Sequence, residues 1–244
     1  QTAVSALAPQ AVGSKQCPQL ALPVPSTMSG SMKKVLAEGP RLRMSDFRVA
    51  PGERVSVVHD CPTLRWAVVG AGEARLPPPA FFETGASHCT HNTSELEHRE
   101  IVFELLEGSL PRYGEGDIQK LEAASQFNPL IGTGVSFENH LLRAVEICLA
   151  PGAGEADDFH QHTLDYGLVW VGDRMKLGLW HPGSDGKAVA EFRNADIPDG
   201  FAQYKPMSNG GFEEAEGKPV VYAMHSVTND SEDGWARCYQ VEVK

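Results

Sequence analysis

The chain repeats itself. Ala50-Pro51-Gly52 returns as Ala150-Pro151-Gly152, Thr63-Leu64 as Thr163-Leu164, and Leu42-Arg43 as Leu142-Arg143. Val69 and Gly72 return as Val169 and Gly172, so these pairs share one offset of 100 residues. A second pair of segments, His88-x3-Asn92-x-Ser94-Glu95 and His225-x3-Asn229-x-Ser231-Glu232, lies 137 residues apart. The order is the same in both halves, and the difference between 137 and 100 places 37 extra residues inside the second copy. A period this long restricts the fold to one structural unit built twice. A chain of 244 residues has room for two units of about 100 residues each. The predicted divisions are a tail over 1–32, a first unit over 33–110, a linker over 111–136 and a second unit over 137–244.

The local patterns inside each copy are those of strands. Leu141 to Ala150 carries apolar residues at Leu141, Val145, Ile147 and Leu149, and Pro151-Gly152 ends it as a turn. Leu168 to Leu179 reads as two strands around a Gly172-Asp173 turn, with further strands over Tyr222–Val227 and Ala236–Val243. The first copy offers Arg54–Val58, Arg65–Val69 and Glu100–Leu106. With Gly at 24 and Pro at 17 residues, turn formers are frequent enough to divide so many short strands. The predicted class is all-β. One helix is predicted in the linker, with Asp117 as its N-cap and Ile118, Leu121 and Phe127 near a helical period.

Charge and cysteine usage narrow the partners. A net charge of −11 disfavours nucleic acid, whose binding depends on basic residues neutralising phosphates. No apolar run approaches the roughly 18 residues of a membrane-spanning helix. The five cysteines are scattered, with no Cys-x-x-Cys pair, which reads as buried thiols in a reducing cytoplasm. Residues 1–32 are rich in Ala, Pro and Ser with Lys15 their sole charge, and read as a tail draped over the fold. No phosphate-binding loop, dinucleotide fingerprint or nucleophile elbow occurs.

The second copy carries the chemistry. In Gly154-x5-His160-x-His162, residues i and i+2 of an extended segment point the same way, so two imidazoles can face one metal ion. His225, followed by Asn229, offers a third. The stretch from Gly154 through His160, His162 and Gly172, followed by His225-x3-Asn229, resembles the two motifs of the cupin superfamily. The resemblance covers about residues 41–107 and 137–244, so the whole chain looks like a bicupin. It implies two double-stranded β-helix (jelly-roll) barrels in tandem and makes His160, His162 and His225 metal ligands. Where the family places a glutamate this chain has Tyr166 and Gly167, and Asp165 stands one residue early. The fourth ligand is therefore Asp165, Tyr166 or water. We expect water, with Tyr166 close enough to hydrogen-bond a substrate. The Pro-x-Gly that precedes the family's second motif is replaced by Val220 and Tyr222.

The first copy has Asp60 and Pro62 at the positions of His160 and His162, with His59 out of phase and His88, His91 and His98 nearby. It reads as a degenerate barrel. Glu146 is a candidate acid or base, or an exposed strand residue. Arg143 either binds a substrate carboxylate or pairs with an acid at the domain interface. His181, before a Pro-Gly-Ser-Asp-Gly tip, reads as surface, Trp170, Trp180 and Phe137 as packing, and Ser208-Asn209-Gly210-Gly211 as a connecting loop. The expected activity is that of an enzyme with one divalent metal and a small-molecule substrate. An O2-using dioxygenase on Fe(II) is favoured, with Zn, Mn, Ni or Cu as other ions. A redox-neutral isomerase, lyase or hydrolase, or a non-catalytic binding bicupin, are the alternatives, and a homodimer is open to such a chain.

Overall fold

The computed structural model describes residues 31–68, 78–106, 111, 113–125, 134–206 and 224–244. The first half contributes β1 (Ser31–Glu38), β2 (Leu42–Val49), β3 (Arg54–Val58), β4 (Thr63–Ala67), β5 (Ala80–Phe82), β6 (Ser87–His91) and β7 (His98–Leu105). After α1 (Glu115–Ser125) come β8 (Val135–Glu138), β9 (Leu142–Leu149), β10 (Asp165–Val171) and β11 (Met175–Pro182). The chain ends with β12 (Ala188–Ile197), β13 (Phe201–Lys205), β14 (Ser226–Asn229) and β15 (Ala236–Val243). No helix among the described residues is long and apolar enough to cross a membrane. Cys61, Cys89, Cys148 and Cys238 are free thiols.

The duplication is visible in the sheets. Five strands run β1-β2-β7-β4-β5 in the first half and β8-β9-β15-β10-β13 in the second, the same order with every pair antiparallel. The smaller sheets are β3-β6 and β12-β11-β14. The repeated Asn does the same work twice. Asn92 Nδ2 donates to Val49 O at the end of β2, and Asn229 Nδ2 donates to Leu149 O at the end of β9. Each also accepts from the backbone N–H two residues on, Ser94 and Ser231. The β11–β12 hairpin and the stretch between β13 and β14 hold the extra length of the second copy.

Some boundaries differ from the sequence reading. β10 begins at Asp165 rather than Leu168, because Thr163 to Tyr166 is already buried against neighbouring elements. Asp117 lies inside the first turn of α1 rather than capping it. The helix is anchored by Ile118 and Leu121 packing with Tyr113 and Leu164. Residues 1–30 of the predicted tail, Val69, Gly72, Phe127, the 208–211 loop and the Val220 and Tyr222 positions lie outside the described residues, while Ser31 and Met32 open β1.

The two five-stranded sheets pack face to face and form one core. Leu42, Met44, Leu64, Trp66 and Phe103 meet Leu142, Ala144, Val169, Tyr239 and Val241. Trp66 sits edge-on to Tyr239, ring centroids 5.2 Å apart. Each such large side chain contributes about 1.5–3 kcal/mol on burial. Gly167 permits the approach, since a Cβ there would lie 2.5 Å from Leu42 Cδ2 and 2.7 Å from Met44 Sδ. Polar groups close the seam: Arg41 reaches Lys244 O at 2.7 Å, and Arg99 joins Asp46 and Asp199 at 2.9 Å each.

Candidate metal centre

The segment before β10 is threaded close against β14. Gly154 has φ +101°, and a Cβ there would lie 2.6 Å from Val227 O, so the first glycine of the motif is required by both its backbone and its neighbour. Asn229 N–H donates to Ala153 O, and further along His160 and His225 exchange both backbone hydrogen bonds, at 2.9 and 3.0 Å. Two histidines far apart in sequence thus become cross-strand partners. His162 follows on the same side. Ring centroids are 4.4 Å apart for His160 and His225, 5.1 Å for His160 and His162, and 5.2 Å for His162 and His225. One nitrogen from each ring lies within 4.8 Å of the others.

His162 is held from behind. Its Nδ1 is 3.0 Å from Glu242 Oε1, and the Gln240 amide lies 3.2 Å from the same nitrogen. A carboxylate accepts whereas Gln240 Nε2 donates, so the two contacts compete for Nδ1; the shorter, charged one prevails, puts the proton on Nδ1 and leaves the Nε2 lone pair for the centre. Tyr166 stacks on the His162 ring at 4.0 Å and 29°. Burial, and then repulsion from His162 and His225, pushes His160 down to about 2. His160 therefore stands as neutral imidazole, the form that binds metal.

The three rings close one end of a cavity of about 390 Å³ between the five-stranded and three-stranded sheets of the second half. Its walls include Leu168, Trp170, Leu177, Phe192, Phe201 and Val227, and its polar groups include Gln203, Lys205 and Gln240.

The other sequence candidates are placed as follows. Asp165 and Tyr166 point to opposite faces. Asp165 is 2% exposed and faces the first half, where Tyr204 Oη donates to it at 3.1 Å and Arg41 lies 3.7 Å away. It is outside the histidine cluster. Glu146, also read as an exposed strand residue, is buried on the same outer face and pairs with Arg237 at 3.4 Å, so strand alternation keeps it from the cavity. Arg143 is engaged by Glu122 of α1 at 2.6 Å, Glu138 at 3.2 Å and Glu242 at 3.5 Å, and does not line the cavity. His181, read as a surface residue, is half-buried. It lies in β11, lines the cavity, and bonds Met224 O and Glu191 at 2.9 and 2.7 Å. Sequence reasoning passed over Glu242 and Gln240. Their signal was the i, i+2 polar pair on one face of β15, whose other face carries Arg237.

In the first half Phe82 lies where rings would need to converge. Its centroid is 4.7 Å from both His59 and His88, which are 6.4 Å apart. Asp60 is exposed and Pro62 buried. Among the described residues only His160, His162 and His225 form a metal-sized group.

No protein-family model and no curated protein matches the chain. Solved structures do. The oxalate decarboxylase of Lactobacillus farciminis in complex with formate superposes with a TM-score of 0.50 at 12% identity, over 89% of this chain and 82% of that one. The chain folds as a bicupin. A cupin domain of Bordetella pertussis Tohama I covers 45% of the bicupin and 88% of its own chain, at 20% identity and TM-score 0.30. A cupin 2 conserved barrel domain protein of Leptotrichia buccalis covers 91% of the bicupin and 92% of itself, at 10% identity and TM-score 0.36. At 12% identity the likeness to the oxalate decarboxylase is one of fold, and the chain's chemistry has to be argued from its own residues.

Proposed function

We propose that the second half binds one divalent metal ion through His160, His162 and His225 and acts as an O2-dependent dioxygenase on a small, largely apolar organic molecule. Fe(II) is the favoured ion. The observation that carries the reading is the convergence of three imidazoles, without a carboxylate among them, at the end of an apolar cavity. The donor set fits. Nitrogens bonded at about 2.1 Å to one tetrahedral ion lie about 3.4 Å apart, so a spread of 4.8 Å needs the rings to close by about 1.4 Å. A bound ion of this kind supplies Lewis acidity and open positions for O2 and a chelating substrate.

The chain's own residues do the rest. Glu242 fixes the tautomer and aim of His162. Tyr166, packed on that ring, brings a phenol to the cavity wall for orienting substrate. The apolar walls exclude water from the reacting groups. A redox-neutral lyase is the second reading, favoured by the oxalate decarboxylase whose fold the chain shares.

The test is elemental analysis with O2 uptake. About one metal per chain is expected, and none in the His160→Ala/His162→Ala double variant with its β-sheet spectrum intact. Full metal retention in that variant would refute the site. Turnover of a substrate under strict anaerobiosis would select the redox-neutral reading.

A further inference from the structure

Resting on the reading of this cavity as a small-molecule site, we infer that its ligand is an organic carboxylate with an apolar body, bound at the carboxylate by Lys205 and Gln203. The two residues are i and i+2 on β13, so they share a face, and both line the cavity. Neither side chain has a hydrogen-bond or ion-pair partner among the described residues. The remaining charged pair in the wall satisfies itself, since His181 Nε2 lies 2.7 Å from Glu191. Among the described wall residues the ammonium is thus the uncompensated charge of a mainly apolar chamber, and none of them competes with an incoming anion.

The register gives the position. Lys205 is the cross-strand partner of Tyr166, whose ring stacks on His162, and Gln203 is the partner of Leu168. A carboxylate bridging Lys205 and Gln203 therefore sits one strand away from the histidine centre. The apolar body then lies along Leu168, Trp170 and Phe201. An ammonium supplies charge and an amide N–H supplies a second donor. A carboxylate uses both, whereas the corresponding carboxamide has no charge to offer.

The test pairs benzoate, phenylacetate and 3-phenylpropionate with their carboxamides. Binding to the full chain is measured by calorimetry in metal-free and Zn(II)-loaded protein. At least one acid is expected to bind at least about tenfold more tightly than its amide in both forms. Lys205→Met removes that difference, Lys205→Arg keeps it, and Gln203→Leu reduces it. Failure of all three acids to bind, or an unchanged preference in Lys205→Met, would overturn the assignment. A preference present only with Zn(II) would also overturn it, by assigning the carboxylate to the metal and leaving the three-histidine reading intact. A preference that persists in a protein shown to bind no metal would sustain the carboxylate site while the metal reading fails.

Discussion

The contact between Glu242 and His162 allows a sharp prediction. Glu242 is 1% exposed, and its Oε1 lies 3.0 Å from Nδ1 of an equally buried imidazole. Partners of this kind behind a metal-binding histidine contribute about 10–100-fold in affinity, or about 1.4–2.8 kcal/mol. Glu242→Gln keeps an oxygen that can accept from Nδ1–H and loses only the charge, so the lower figure, about tenfold, applies. Glu242→Leu removes the acceptor altogether and should approach about 100-fold. Arg143 loses its contact at 3.5 Å in both variants but keeps Glu122 at 2.6 Å and Glu138 at 3.2 Å, so the fold should survive. The assay is competition for Zn(II) against a chromophoric chelator, with urea unfolding of the metal-free proteins alongside. A Glu242→Leu variant that unfolds normally and binds within about twofold of wild type would refute the reasoning, because His162 would then need no orienting partner.

Three further outcomes are expected. Tyr166→Phe should leave Zn(II) affinity nearly unchanged and lower turnover, while Asp165→Asn should leave both unchanged but cost about 1–3 kcal/mol in urea unfolding, since it weakens a buried contact with Arg41 and Tyr204. In metal-free protein His160 titrates near 2 when folded and near 6.5 when unfolded, so its neutral form stabilises above pH 6.5 and that stability is lost as pH falls toward 2. The slope is about 1.4 kcal/mol per unit below pH 6.5, and His160→Gln should flatten it in unfolding curves taken between pH 6.5 and 5. Gly167→Ala should destabilise by about 1–3 kcal/mol, because its methyl meets Leu42 and Met44 across the sheet interface, and an unchanged urea midpoint would contradict that packing.

The duplication was legible because it resides in turns and caps. Pro51-Gly52 and Pro151-Gly152 end β2 and β9, and Asn92 and Asn229 fasten those same ends. Such positions demand particular residues, so they survive as visible matches. The histidines were legible for a similar reason, since only an i, i+2 pair on an extended segment places two rings together. The roles of Glu146, Arg143 and His181 were not legible. Which face of β9 looks into the cavity depends on which sheet covers it, and alternation alone leaves the two faces equivalent. β15 shows the difficulty most clearly: all eight of its residues are buried and polar side chains stand on both faces, Arg237 on one and Gln240 and Glu242 on the other, so polarity does not say which face meets the cavity.

That double burial links the two halves. The outer face of β15 presents Tyr239, Val241 and Val243 to the shared core, and the inner face presents Gln240 and Glu242 to His162. Adjacent residues on β10 divide in the same way. Asp165 is fastened to Arg41 of the first half, and Tyr166 is stacked on His162. A strand with an apolar inner face would pack as well, but it could not orient an imidazole. A strand without the first half over its outer face would expose the shared apolar core to water. The first half therefore does more than occupy space. By covering the outer faces of β10 and β15, it fixes the two strands whose inner faces hold His162 in register.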